Sequence, residues 1–205
     1  MFIPEHSTHP SHPATGPDDL YAAKPPWDID RPQPAFLTLA EDGQIRGRVL
    51  DIGCGTGEHA MMAAGLGHDA VGVDQSAHAL ELAEGKARDR GITVAYIRYD
   101  ACKLADLGET FDTVLDCGLF HIFSDAARSQ YVDSLRAVVR PHGRYFMLGF
   151  SDAQPGDWGP RRLTRDEIES AFIDGWRIDG IEPAVIEINV EPVSVAAWLV
   201  QLTRT

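Results

Sequence analysis

The chain is poor in cysteine, poor in basic side chains, and without a long apolar run. Its three cysteines, Cys54, Cys102 and Cys117, are odd in number and show no C-x-x-C spacing, which argues against a disulfide framework and against a thiolate zinc site. They are read as reduced, small apolar residues. Cys54 in a glycine loop and Cys117 after a strand occupy places where a nucleophile would sit, but no His/Asn pattern accompanies them. Lysine and arginine number 18 against 31 aspartates and glutamates, a net charge of −13. Such a surface repels phosphate backbones and anionic lipid, so no nucleic acid and no membrane is expected as partner. No stretch reaches the ~18 apolar residues of a membrane span. The N-terminus has neither the basic segment nor the apolar core of a signal peptide, so the expected location is cytoplasmic. Composition leaves the oligomeric state open.

What is present fits an ordinary globular protein: 205 residues, 44% hydrophobic and 24% charged, enough for one domain with a full core. The first thirty residues are rich in Pro, His, Ser and Asp and bury too little apolar surface to offset ordering entropy. Residues 1–30 are therefore expected to be a flexible arm, partly ordering over the active site, and 31–205 a single domain. His6, His9 and His12 have no closed-site spacing and no accompanying ligands, so no metal is expected. The end of the arm, "KPPWDIDRPQPAFLTLAEDG", sets Trp27 between prolines and opens a helix at Pro34, with Phe36, Leu37, Leu39 and Ala40 apolar and Gly43 as its stop.

From Arg48 the pattern alternates. "RVLDIG", "DAVGVD", "TVAYIRYDA", "FDTVLDCG" and "RYFMLGF" read as strands. "EHAMMAAGLG", "SAHALELAEGKARDRG" and "SDAARSQYVDSLRAVVRPHG" read as helices, the last two capped by Ser76 and Ser124 and the last broken at Pro141 and Gly143. "LTRDEIESAF" has Thr164 and Glu167 at capping-box spacing, and two final strands join at a turn near Pro192. Repeated strand–helix–strand units with short links give right-handed crossovers and a parallel sheet. The expectation is an α/β, doubly wound, mostly parallel seven-stranded sheet with helices on both faces and a C-terminal antiparallel hairpin.

"VLDIGCGTGEHA" carries the strongest local signal. Gly53, Gly55 and Gly57 directly after a strand allow a tight turn, close backbone approach to a ligand and a helix N-terminus aimed at it. A dinucleotide fingerprint asks for G-x-G-x-x-G, but Glu58 stands in the third glycine's place and opposes a pyrophosphate, which disfavours a nicotinamide-dependent dehydrogenase. Asp51, Asp74, Asp100 and Asp116 each end a strand, and in a parallel sheet those ends share one edge, where ligands of open α/β sheets bind. Four carboxylates in one crevice suit a ligand with cationic groups and hydroxyls.

"VLDIGCGTG", "VGVDQS", "YDA" and "FDTVLDCGLFHIF", in that order, resemble the ordered motifs of class I S-adenosylmethionine-dependent methyltransferases, over Arg48 to the C-terminus. The resemblance implies S-adenosylmethionine as cofactor. It places the loop of Gly53, Cys54, Gly55, Thr56 and Gly57 on the methionine portion, with Asp51 near its ammonium and Asp74 on the ribose hydroxyls. Gln75 and Ser76 line the adenine and ribose side, Asp100 and Ala101 meet the adenine, and Asp116 and Cys117 sit beside the sulfonium. "PPWDIDRPQPAF" further resembles thiopurine methyltransferase-like enzymes, and especially bacterial heterocyclic toxin methyltransferases acting on hydroxyquinolone-like rings. In that family Trp27 and Arg31 would help close the cofactor site. The loop from Ser151 to Arg162 is too short for a large lid, which leaves the arm to supply one.

Methyl transfer from a sulfonium is an in-line displacement that mainly needs positioning in a dry cavity. An acceptor that keeps its proton also needs a base, and His121, after the fourth strand, is the candidate; the alternative is a structural histidine bonded to backbone. His59 raises the same question, with helix-start packing as its other explanation. Phe120, Phe123 and Trp158, with Trp27, are the aromatic residues at the same edge that could hold a planar small-molecule acceptor. A non-catalytic module that senses S-adenosylmethionine would need the same binding residues and stays open, while methylation of tRNA or rRNA is disfavoured by the charge.

Overall fold

The computed structural model of the chain describes residues 16–205; His6, His9 and His12 lie outside them. A 3-10 helix, Pro17–Tyr21, precedes α1 (Pro34–Glu41), β1 (Val49–Ile52), α2 (Glu58–Gly65), β2 (Ala70–Asp74), α3 (Ala77–Asp89) and β3 (Ala95–Arg98). There follow β4 (Phe111–Cys117), α4 (Asp125–Val138), β5 (Val139–Phe150), α5 (Arg165–Ala171), β6 (Trp176–Glu187) and β7 (Ser194–Arg204). The seven strands form one sheet in the order β3-β2-β1-β4-β5-β7-β6. The first five are parallel, and β7 runs antiparallel to both β5 and β6. The chain winds outward from β1 to β3, then returns to lay β4 on the other side of β1. That reversal opens a crevice at the carboxyl ends of β1 and β4, where an open α/β sheet binds its ligand.

Local chemistry accounts for the elements. β1 is buried along its whole length and β4 over most of its own, as a parallel strand covered on both faces requires. Successive β5 side chains alternate faces: Tyr145 and Met147 join a buried cluster with Tyr131, Leu135, Ile168 and Phe172 of α4, α5 and the residues after α5, whereas Phe146, Leu148 and Phe150 join one with Phe36, Leu39 and Ala63 of α1 and α2. The expected caps form. Ser76 Oγ accepts from the Ala79 amide at 3.0 Å and Ser124 Oγ from Ala127 at 3.4 Å. Thr164 and Glu167 close a reciprocal capping box.

The region read as a break behaves differently. Instead of a strand starting at Arg144, β5 begins at Val139 directly after α4. Val139 pairs with Phe111, the ladder shifts register between Phe111 and Thr113, and His142 adopts a left-handed φ of 65°. Pro141 and Gly143 thus form an irregularity within the strand rather than a loop before it, because proline offers no amide to a regular ladder.

The residues before α1 are fastened to the body. Asp18 Oδ1 accepts from Ser76 Oγ at 2.8 Å and the His78 amide at 3.1 Å. Gln33 and Glu187 exchange two hydrogen bonds, at 3.0 and 2.8 Å, and Asn189 Nδ2 donates to the carbonyls of Pro25 and Asp28. The terminal hairpin therefore clasps the segment leading into α1. Among the described residues no helix is long and apolar enough to cross a membrane.

Removing one cap has a calculable effect. Thr164→Ala opens the capping box of α5, and an N-cap of this kind contributes about 1 kcal/mol; the expected result is a lower denaturant midpoint at an unchanged m-value.

Candidate functional site

The turn between β1 and α2 is built on glycines in the left-handed region: Gly53, Gly55 and Gly57 have φ of 65°, 53° and 82°. Gly57 caps α2, and a side chain there would collide with the Tyr96 hydroxyl as well as strain the backbone. Two carboxylates brace the turn. Asp51, 1% exposed, accepts from the Ala60 amide at 3.0 Å. Asp74, at the end of β2, takes the Gly55 amide on Oδ2 and the Ser76 amide on Oδ1, both at 2.9 Å. An ionised carboxylate has about four acceptor positions, so Asp74 retains capacity for two hydroxyls. Burial raises its pKa. Burial, with Asp74 and Asp116 adding repulsion, lifts Asp51 to about 7.

Along the same edge, Gln75 Nε2 donates to Asp100 Oδ1 at 3.1 Å, and Asp100 also caps the 3-10 helix Ala101–Leu107 through the Cys102 amide. Ala101 is buried in the core behind it. Tyr21 reaches the glycine turn from the N-terminal segment, so that a Cβ on Gly55 would lie 2.8 Å from its hydroxyl. The Trp27 indole donates to that hydroxyl at 3.5 Å and meets its ring edge-on. Arg31 extends instead to Glu187 on the hairpin, at 2.6 Å.

Lys86, on α3, was not among the residues singled out from sequence. Its ammonium is held by Asp28 at 2.9 Å, Asp30 at 2.8 Å, Thr56 Oγ1 at 2.9 Å and Glu58 at 3.1 Å. Arg90 completes the cluster with two bonds to Glu58, at 2.6 and 2.9 Å. The acidic trio Asp28, Asp30 and Glu58, which could hold a cation, thus has a side-chain cation among it. The cluster joins the N-terminal segment, the glycine turn, α2 and α3 at one point. No spacing rule finds it, because its members lie in three separate stretches of chain, 28–30, 56–58 and 86–90.

At the end of β4 the arrangement is dense. Asp116 is fully buried and accepts from the hydroxyls of Tyr131 and Tyr145, both at 2.7 Å, and from the Leu119 and Phe120 amides at 2.8 and 3.2 Å. Cys117 and Gly118 follow it. The 3-10 turn Phe120–Ile122 then sends Phe120 inward, where it stacks on Phe172 at 5.4 Å, fully buried. Phe120, expected at the acceptor, is thus packed into the α4/α5 side of the core. Phe123 leans on Tyr131 at 4.8 Å. His121 Nδ1 accepts from the Phe150 amide at 3.0 Å, and Trp158 meets the Phe150 ring edge-on at 6.0 Å. His59 Nε2 accepts from the Gln33 amide at 3.2 Å and its ring packs on Phe36, so its contacts are those of a residue that fixes the start of α1. Burial lowers its pKa to about 4.

The Asp51 environment has a measurable signature. Between its ordinary value of 3.8 and about 7 the folded chain keeps a proton that the unfolded chain has lost, so this group's contribution to stability declines as pH rises through that window. Asp51→Asn keeps an acceptor for the Ala60 amide and cannot ionise; its denaturation free energy, followed from pH 4 to 7, is expected to fall less steeply than that of the wild type.

The comparisons with known proteins agree with this geometry. Residues 49–143 match the family model described as a methyltransferase domain. A 2-heptyl-1-hydroxyquinolin-4(1H)-one methyltransferase of Mycobacteroides abscessus is 33% identical over 95% of each chain. A structure solved in work on the conversion of a disulfide bond into a thioacetal group during echinomycin biosynthesis is 35% identical, with a TM-score of 0.80 over 88% of this chain and 85% of that one. Magnesium protoporphyrin IX methyltransferase from Synechocystis PCC 6803, solved with bound S-adenosylmethionine, shares the fold at 20% identity and a TM-score of 0.65, over 83% of this chain and 76% of that one. With a glycine turn and a switch-point crevice in place and this likeness over nearly the whole chain, the chain belongs to the class I S-adenosylmethionine-dependent methyltransferases and uses S-adenosylmethionine as its cofactor.

Proposed function

We propose that the chain transfers a methyl group to O, N or S of a small, planar, aromatic heterocyclic acceptor of the hydroxyquinolone type. The observation that carries this reading is the extent of the similarity to the hydroxyquinolone methyltransferase. It runs over 95% of both chains, and so includes the N-terminal segment and terminal hairpin that lie outside the general domain match of residues 49–143. Those parts flank the crevice, where an acceptor is recognised.

S-adenosylmethionine supplies an electrophilic methyl carbon on a positively charged sulfur. On this reading the turn of Gly53, Cys54, Gly55, Thr56 and Gly57 holds the methionine end, with Asp51 beneath it. Asp74 accepts the ribose hydroxyls with its remaining lone pairs. Gln75, Ser76, Asp100 and Ala101 bound the adenine side. Asp116 acts through the turn it organises, because its own oxygens already have four donors, while Cys117 and Gly118 face the sulfur. Tyr21, Trp27 and the Lys86 cluster hold the N-terminal segment over the glycine turn and exclude water, and Arg31 acts at a distance by fastening that segment to the hairpin. Phe150 and Trp158 form an aromatic wall, with the Arg162 guanidinium 5.3 Å from the Phe150 ring and 5.6 Å from the Trp158 ring, while Phe123 packs on Tyr131. Aromatic faces and a guanidinium plane suit a flat acceptor. We place the enzyme in the cytoplasm, where its three free cysteines stay thiols.

Two measurements test this. Incubation with S-adenosylmethionine and 2-heptyl-1-hydroxyquinolin-4-one, followed by mass spectrometry, should show a product heavier by one methyl group; intact cofactor binding with no product from any planar heterocycle would reject the acceptor class. Asp74→Asn should weaken calorimetric binding of S-adenosylmethionine by roughly 10- to 100-fold, the equivalent of ~1.5–3 kcal/mol for hydrogen bonds to a charged group. An unchanged affinity would remove Asp74 from the ribose site.

A further inference from the structure

We infer that Arg162 is the positioning residue of acceptor recognition: its guanidinium holds the loop after β5 in one shape and thereby fixes Trp158, the ring against which the acceptor lies. The inference rests on the acceptor wall proposed above and names the residue that builds it.

The place of the loop follows from the sheet. β5 pairs with β4 as far as Leu148 and Cys117, and the Gly118 amide donates to the Leu148 carbonyl at 2.8 Å. Phe150 ends β5 two residues later, with its amide on His121 Nδ1. Residues 151–162 therefore leave the sheet at its carboxyl edge, beside the turn after β4. The base of the loop is closed. The Leu163 amide donates to the Phe150 carbonyl at 2.9 Å, and the Asp152 amide to the Leu163 carbonyl at 3.1 Å. β7 fastens one arm, where the Ala196 amide donates to Gln154 Oε1 at 2.7 Å and Trp198 Nε1 to the Leu163 carbonyl at 3.0 Å.

Beyond Gln154 the chain enters neither helix nor ladder before Leu163, and a backbone of that kind must place its carbonyls elsewhere. One side chain gathers them. Arg162 Nη1 donates to the Pro160 carbonyl at 2.6 Å, Nη2 to the Gly156 carbonyl at 3.2 Å and Nε to the Gln154 carbonyl at 3.5 Å. The three acceptors span residues 154–160, so the guanidinium is the hub around which the loop is wrapped. A planar group with donors along its edges can reach all three, whereas a lysine ammonium is a point charge. The Asp157 carboxylate, on the same loop, favours the cation.

The same guanidinium lies 5.3 Å from the Phe150 ring and 5.6 Å from the Trp158 ring, and those rings meet edge-on at 6.0 Å and 83°. The backbone is drawn down onto both. Gly156 and Gly159 have left-handed φ of 80° and 78°. A Cβ on Gly156 would lie 3.1 Å from the Trp158 indole, and one on Gly159 3.2 Å from the Phe150 ring. Two rings at right angles make a corner in which a flat acceptor stacks on one face and turns its edge to the other. Phe150 belongs to the sheet and stays where β5 puts it. Trp158 belongs to the loop, and its place depends on the bonds that Arg162 supplies.

The test is kcat and KM for 2-heptyl-1-hydroxyquinolin-4-one, or for whichever planar heterocycle is methylated, on the wild type, Arg162→Ala, Arg162→Lys, Trp158→Ala and the double alanine variant. If Arg162 acts through Trp158, Arg162→Ala raises the acceptor KM by roughly 10- to 100-fold, the cost of a misplaced binding group. Its kcat changes by less than about threefold, as for a loss of binding felt equally in ground and transition states, and S-adenosylhomocysteine affinity is unchanged. Arg162→Lys, which keeps the charge, shows a rise of similar size. The double variant is no worse than Trp158→Ala alone, because two changes acting through one ring do not add. Methylguanidinium added to Arg162→Ala recovers most of the lost KM, and added to Trp158→Ala recovers none. An unchanged KM in Arg162→Ala, full activity in Arg162→Lys, or effects that add in the double variant overturns the inference. Should Arg162→Ala not fold, Arg162→Lys takes its place in the same cycle and decides the matter. Absence of product from every planar heterocycle, with S-adenosylhomocysteine still bound, overturns the acceptor reading and this inference together, and the missing product tells that outcome apart from failure of the inference alone.

Discussion

A carboxylate sealed inside a protein must find donors, and the way Asp116 finds them governs the functional edge of this fold. It sits fully buried at the carboxyl end of β4 and draws Tyr131 from α4, Tyr145 from β5 and the amides of Leu119 and Phe120 into one knot. Removing any partner would leave an expensive charge underserved, so the turn after β4 has little freedom. That turn sends Phe120 into the core and brings His121 onto the Phe150 amide, against Gly118. The shape of this edge is thus set by one buried carboxylate.

A second, partly buried charge cluster organises the other flank. Lys86 gathers oxygens from Asp28, Asp30, Thr56 and Glu58, tying the segment before α1 to the glycine turn. The hairpin grips the same segment from the opposite side through Asn189, Gln33 and Glu187. In a chain with a net charge of −13, Lys86 and Arg90 sit where carboxylates crowd beside the glycine turn.

Much of the fold was legible without coordinates. Apolar runs ending in Asp51, Asp74 and Asp116, separated by helical periods capped at Ser76 and Ser124, dictate parallel strands with crossovers, because period and capping are local properties. Two strands without an intervening helix after Thr164 dictate a hairpin for the same reason. The break read at Pro141 turned out to be an irregularity within β5, since only pairing with Phe111 could show where that ladder starts.

The site divides along the same line. Backbone needs, such as left-handed glycines after a strand and carboxylates at strand ends, are written in residue type and spacing, so the sequence by itself determined the doubly wound sheet and the cofactor turn. Side-chain direction was left to tertiary structure. Phe120 and His121 are neighbours in the chain, yet one ring stacks on Phe172 in the core and the other accepts the Phe150 amide. Lys86 and its partners, spread from residue 28 to residue 86, meet only when four elements pack. Which lone pairs are spent and which donors remain depends on contacts made across the fold, because a hydrogen bond is fixed by position in space rather than by order along the chain.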